Sequence, residues 1–170
     1  MVSTAKTAQV SLPGDREVKV VRDFRAPRAL VYEAYTRPEL MRRWLLGPPG
    51  WTMPVCEMDV RVGGRFRWRW RSDEDGQEFG FHGEYLEIEE PVKLRNTEAF
   101  DPGTIGQSMG DEPAIVTVTF DERNGVTTLT TLIEYASQAD RDAAMATGMT
   151  DGMETSYQLL DTLLAEDVAG

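Results

Sequence analysis

Only one cysteine, Cys56, and one histidine, His82, occur among the 170 residues. A single thiol excludes an internal disulfide and any multi-cysteine metal site, and it fits a reducing compartment. No metal and no cofactor are expected. Positive charge is also scarce: 18 Lys and Arg against 29 Asp and Glu leave a formal charge of -11. Long-range forces therefore repel polyphosphates and anionic lipid, which disfavours nucleic acid as a partner. No apolar run approaches the roughly 18 residues that mark a membrane-spanning helix. The opening MVSTAKTAQVSLPGD has no signal-peptide core. A cytoplasmic protein without membrane insertion is expected.

The length suits one domain able to bury a core without staples. Residues 1–15 are small and polar and end in Pro13-Gly14, which reads as a flexible leader. The domain is expected over 16–168. REVKVVRDF has strand character and ends at Ala26-Pro27. Two short helices follow, one carrying Leu30, Val31, Ala34 and Tyr35 on one face, the second starting near Pro38 and burying Leu40, Met41, Trp44 and Leu45. Strands are predicted at 54–61, 65–71, 78–89, 92–99, 114–121 and 126–135, with Asp75-Gly76 and Asn124-Gly125 as tight hairpin turns. DPGTIGQSMGDEP, 101–113, reads as a long loop. Helical periodicity returns in SQADRDAAMAT, breaks at Gly148 and resumes over 150–166, with Ser137 or Thr150 as caps. On the last helix Met149, Met153, Ser156, Leu160, Leu163 and Leu164 form a stripe that needs the sheet as its partner. The fold class is α+β: a curved antiparallel sheet of about seven strands around a long C-terminal helix.

Several motifs fail on context. GQSMG, 106–110, matches the serine-hydrolase signature but lies inside a loop rather than between a strand and a helix, and His82 precedes Ser108. SDEDGQE is too short for a calcium loop and reads as a solvated hairpin. Gly63-Gly64 leads into an aromatic strand instead of a helix N-terminus, so it is not a phosphate loop.

GGRFRWRWR carries more information. Strand periodicity places Phe66, Trp68 and Trp70 on one face and four arginines on the other. Burying one such ring is worth about 4–6 kcal/mol as an upper bound. Stacking it on a nucleobase returns only about 1–3 kcal/mol. The rings belong inside, and the arginines pair with acids such as Glu78, Glu84 and Asp59 outside.

With these pieces in place, APRALVYEAYTRPELMRRWLLGPPGW, MDVRVGGRFRWRWRSDEDGQEFGFHGEYLEIEEPVKLRNT and TGMTDGMETSYQLLDTLLAE resemble the single-domain bacterial relatives of the activator of heat-shock-chaperone ATPase, within the SRPBCC or START-like superfamily. The resemblance covers roughly residues 16–166. It implies the helix-grip, birch-pollen-allergen-like fold, in which the long helix crosses a concave sheet and encloses a cavity for a lipid, polyketide or aromatic ligand. It transfers no catalytic set. It departs at Gly152-Met153, where many relatives carry Gly-Trp, and the additional N-terminal domain of the eukaryotic activators has no counterpart here.

The pattern nominates Phe66, Trp68 and Trp70 as the cavity floor, Met149, Met153 and Tyr157 as its helix side, and Trp44, Trp51 and Phe100 as its mouth. His82 and Tyr85 complete the ligand-binding set. The alternative is that these side chains simply pack against one another. A lone mid-strand histidine is usually a structural hydrogen-bonder; turned inward, His82 would instead orient a ligand or exchange a proton with Glu57 or Tyr157. The leading function is binding of a small, largely apolar molecule. The rivals are an enzyme acting on such a molecule through His82, Tyr85, Glu57 or Tyr157, and an interaction module acting on a chaperone ATPase. Monomer and homodimer both remain open.

Overall fold

A computed structural model describes residues 7–104 and 112–169. The order along the chain is β1 (Gln9–Ser11), β2 (Glu17–Phe24), α1 (Arg28–Thr36), α2 (Pro38–Trp44), β3 (Trp51–Met58), β4 (Arg65–Ser72), β5 (Glu78–Glu89), β6 (Lys93–Asp101), β7 (Ala114–Arg123), β8 (Val126–Glu134), α3 (Gln138–Met145) and α4 (Met149–Ala169). The strands form one antiparallel sheet in the order β1-β2-β8-β7-β6-β5-β4-β3. This is the α+β helix-grip arrangement expected, with eight strands rather than about seven. The additional one, β1, lies within the stretch expected to be a leader and pairs with β2, Val10 opposite Val20.

Alternation makes the inner face legible. In β2 the residues Val18, Val20, Arg22 and Phe24 are buried while those between them are not. β7 and β8 repeat this with Val116, Val118 and Phe120 and with Leu129, Thr131 and Ile133. Asn124 (φ 53°) and Gly125 (φ 78°) both take positive φ, the primed turn that seats Arg123 opposite Val126. The Asp75-Gly76 turn is longer than expected. Ser72 N donates to Gln77 O at 2.9 Å, which leaves a four-residue loop. Asp75 Oδ1 accepts from Gln77 N (3.0 Å), a local bond that competes with the tight turn. β3 is shifted to Trp51–Met58 and ends earlier than expected because a hydrogen-bonded turn, Arg61 N to Asp59 O and Gly64 N to Arg61 O, occupies its anticipated end. At the sheet edge β3 tolerates Pro54, where its pairing register shifts.

Ser137 caps α3 by accepting from Asp140 N at 3.1 Å. Thr150 lies inside α4, which begins at Met149 directly after Gly148. From Tyr157 onward α4 buries Tyr157, Leu160, Leu163 and Leu164 in one cluster with Val20, Phe24, Leu129 and the α1 residues Val31 and Ala34. One buried arginine fixes its position: Arg22 Nε and Nη2 donate to Glu154 Oε1 and Oε2 (2.9 and 3.0 Å), and Nη1 and Nη2 to Asp161 Oδ1 and Oδ2 (2.9 and 2.8 Å). The guanidinium also lies 4.8 Å from the Phe24 ring centroid. A second, smaller cluster of Met41, Met53, Cys56 and Trp70 forms beneath α2. No helix among the described residues is long and apolar enough to cross a membrane.

Candidate functional site

The aromatic ribbon of β4 divides as its period demands. Phe66 and Trp70 are buried, Trp68 is half-buried, and Arg65, Arg67 and Arg71 are exposed. On the outer face Arg69 bonds Glu78 and Asp101, whereas Asp59 bonds Arg61 rather than a ribbon arginine. On the inner face register aligns Phe66 with Gly83, Trp68 with Phe81 and Trp70 with Phe79. β6 then aligns Phe100 with Phe81. The rings are continuous: Phe66–Trp68 centroids are 4.3 Å apart, Trp68–Trp70 6.3 Å, Trp70–Phe81 5.9 Å and Phe81–Phe100 5.5 Å. Trp51 joins edge-on to Phe79 at 5.4 Å.

These rings face inward but are not sealed. Trp68, Phe79, Phe81, Phe100 and Trp51 all stay half-buried. Trp70 Nε1 donates to Leu45 O at 2.6 Å. Trp68 Nε1 is buried without a hydrogen-bond partner, and a buried indole N–H ordinarily has one.

One polar residue that sequence reasoning missed stands among them. Glu98 follows Leu94 and Asn96 on the inward face of β6, two residues before Phe100. It is half-buried, and burial alone pushes its carboxyl up to about 7. Small residues flank it. Ala114 of β7 is its register partner, and on β5 the pairs His82–Ala99 and Tyr85–Asn96 bring Gly83 opposite it. Gly83 admits nothing larger, since a Cβ there would lie 1.9 Å from Thr97 O and 2.8 Å from Phe66 Cε1. The period-two signal was present in LRNTEAF, because nominating Phe100 as inward-facing makes Glu98 inward as well.

Around Glu98 stand Tyr85, buried and 5.6 Å from the Phe66 ring, and Tyr135, half-buried at the end of β8. Burial pushes the phenols of both upward, Tyr135 with a further contribution from the Glu98 charge. Tyr135 donates its hydroxyl to Met149 Sδ at 3.4 Å, joining the site to the start of α4. Met149 and Met153 are half-buried there. Tyr135 also lines a surface cleft of about 560 Å³ with Asp15–Glu17, Glu112, Pro113, Ile115, Glu134 and Ala136.

Other nominated residues stand elsewhere. Trp44 is not at a mouth: it is 1% exposed and donates Nε1 to Ala34 O at 2.9 Å in the main core. Tyr157 is equally enclosed, edge-on to Phe24 at 5.4 Å with its hydroxyl 3.5 Å from that of Thr131. His82 and Glu57 are exposed on the outer face, in one row with Arg67. His82 and Tyr85, three residues apart on β5, point to opposite faces, and Tyr157 of α4 packs on Phe24 at the inner face, so the four do not converge. Cys56 is buried, and burial raises its thiol to about 11, which leaves no thiolate for nucleophilic chemistry. Ser108 and the GQSMG stretch lie outside the described residues. No group of three or more metal-ligating side chains occurs among the described residues.

Residues 25–165 match the family model for Activator of Hsp90 ATPase homolog 1-like protein. The chain belongs to that family. This family member superposes on a Rhodobacter sphaeroides crystal structure with a TM-score of 0.85, at 28% identity over 94% of this chain and 99% of that one. A Mycobacterium smegmatis protein gives 0.81 at 23% identity, covering 93% and 96% of the two chains. A protein from Aeromonas hydrophila described as AHSA1-like gives 0.65 at 20% identity, covering 85% and 93%. The last two show a shared fold. Among curated proteins none matches significantly.

Proposed function

We propose that this family member binds one small, largely apolar molecule in a chamber bounded by the inner face of β4–β6 and the first turns of α4. The observation that carries the reading is the set of inward-facing, half-buried rings Trp68, Phe79, Phe81 and Phe100 beside the small floor residues Gly83 and Ala114. Phenylalanines of a core are most often fully buried, yet Phe79, Phe81 and Phe100 each keep part of the ring accessible. The unpartnered Trp68 N–H supports a ligand that carries one hydrogen-bond acceptor. Met149 and Met153 supply an adaptable wall.

A catalytic role through His82 and Glu57 has no support in this geometry, since both side chains face water on the opposite side of the sheet. The family description names activation of a chaperone ATPase; an effect of the purified protein on chaperone ATP hydrolysis would assign that role here. For the chamber, a neutral naphthylamine dye tests the reading. Saturable binding at one site, with energy transfer from Trp68 and Trp70 and displacement by other apolar molecules, is expected. Absence of any displaceable site would overturn it.

A further inference from the structure

Glu98 has no ion-pair or hydrogen-bond partner among the described residues, while the cations that could neutralise it are committed elsewhere. Arg22, the inward-facing arginine of β2, bonds Glu154 and Asp161. The ribbon arginines Arg65, Arg67 and Arg71 are exposed on the outer face. On one side of the carboxyl Gly83 carries the Phe66 ring and on the other stands Ala114, so neither flank supplies a charge or a hydrogen bond, and the residue stays half-buried rather than sealed.

Resting on the chamber reading above, we propose that Glu98 is its polar anchor and selects an apolar ligand that carries a protonated nitrogen, an arylalkylamine or a comparable amphiphilic cation. A carboxylate accepts only, and a hydrogen bond from a charged donor is about twice as strong as one from a neutral donor. An ammonium therefore gains more at this position than an isosteric alcohol, and a carboxylic acid gains least. The aromatic surroundings add attraction for a cation over their ring faces. The formal charge of -11 draws cations toward the protein and repels anions before contact.

Burial holds the Glu98 carboxyl protonated below about 7. An incoming ammonium takes the place of that proton, which leaves to solvent. Amine affinity is therefore greatest above pH 7 and declines as pH falls toward 5. The titratable groups facing Glu98 are Tyr85 of β5 and Tyr135 directly after β8, both neutral throughout this range. α4 contributes Met149 and Met153 on that side; of the acids in its first two turns Asp151 is exposed to water and Glu154 is bound to Arg22.

The test uses displacement of the neutral naphthylamine dye by naphthylmethylamine, naphthylmethanol and naphthoate at pH 8 and pH 5. The amine is expected to bind about 10–100-fold tighter than the alcohol at pH 8, the span of one charge-assisted hydrogen bond, with most of that preference gone at pH 5. Glu98→Gln, with folding checked by circular dichroism, should bring the amine-to-alcohol ratio toward one. Should that variant not fold, the pH profile of the amine-to-alcohol ratio in the unaltered protein decides alone. Equal binding of amine and alcohol, or a ratio unchanged in Glu98→Gln, overturns the anchor and leaves the chamber intact. Failure of all three compounds and of the dye to bind removes both.

Discussion

Glu98 makes the stability of this protein depend on pH in an unusual direction. Its ordinary value is 4.5 and burial raises it to about 7, so between these limits the folded chain holds a proton that the unfolded chain releases. Stability from this residue is therefore fully present below about 4.5 and is lost as pH rises through 7. At about 1.4 kcal/mol per tenfold change in ionisation, the full cost of the charged form is about 3.5 kcal/mol. Water reaching the half-buried residue screens part of it, which leaves about 1–2 kcal/mol. Glu98→Gln keeps the shape and removes the charge. Urea unfolding followed by tryptophan fluorescence should give nearly equal stabilities for the two proteins at pH 4.5. At pH 8 the variant should be more stable by about 1–2 kcal/mol, or roughly 2–8 °C in Tm. Comparing the pair at each pH cancels every other titrating group. A difference that stays constant across this range, or a variant less stable than the parent at pH 8, would refute the placement of Glu98 in a poorly solvated chamber.

The other predictions concern the frame around the site. Arg22→Ala leaves Glu154 and Asp161 without their cation and should destabilise by about 2–4 kcal/mol in thermal unfolding, toward the low end because Asp161 is partly solvated. Gly83→Ala forces a Cβ onto Thr97 O and Phe66, and chemical denaturation should register a loss of about 1–3 kcal/mol or more. His82→Ala, on the outer face, should change stability by less than about 0.5 kcal/mol and leave dye affinity unchanged. A large loss of dye binding in that variant would reinstate it as a site residue.

Much of this architecture is readable in the chain because period-two burial runs cleanly through β2, β4, β7 and β8, and because Asn124-Gly125 and Ser137 carry local chemistry strong enough to set their own geometry. The ribbon in β4 divides into an inner aromatic and an outer basic face for the same reason. What pattern alone obscures is partnership over long sequence separations. Arg22 looks like a surface residue until Glu154 and Asp161, more than a hundred positions away, are brought to it by α4. Trp44 and Tyr157 look like cavity residues because their type suits a cavity, yet they meet each other and Tyr35 in the main core. Glu98 is hidden by its charge: a carboxylate invites an outward reading, and only its alternation with Leu94, Asn96 and Phe100 places it inside.

The central claim is that space for a ligand remains between the β4–β6 rings and the start of α4. Titration of the neutral naphthylamine dye into the unaltered protein and into Met153→Trp tests it most directly, since a larger ring at half-buried Met153 enters that space from the helix side. The account predicts one saturable site in the parent and a loss of at least about tenfold in affinity in the variant, the effect of a pocket filled by its own side chain. A parent that binds no dye, or a variant that binds it as well as the parent, would contradict it.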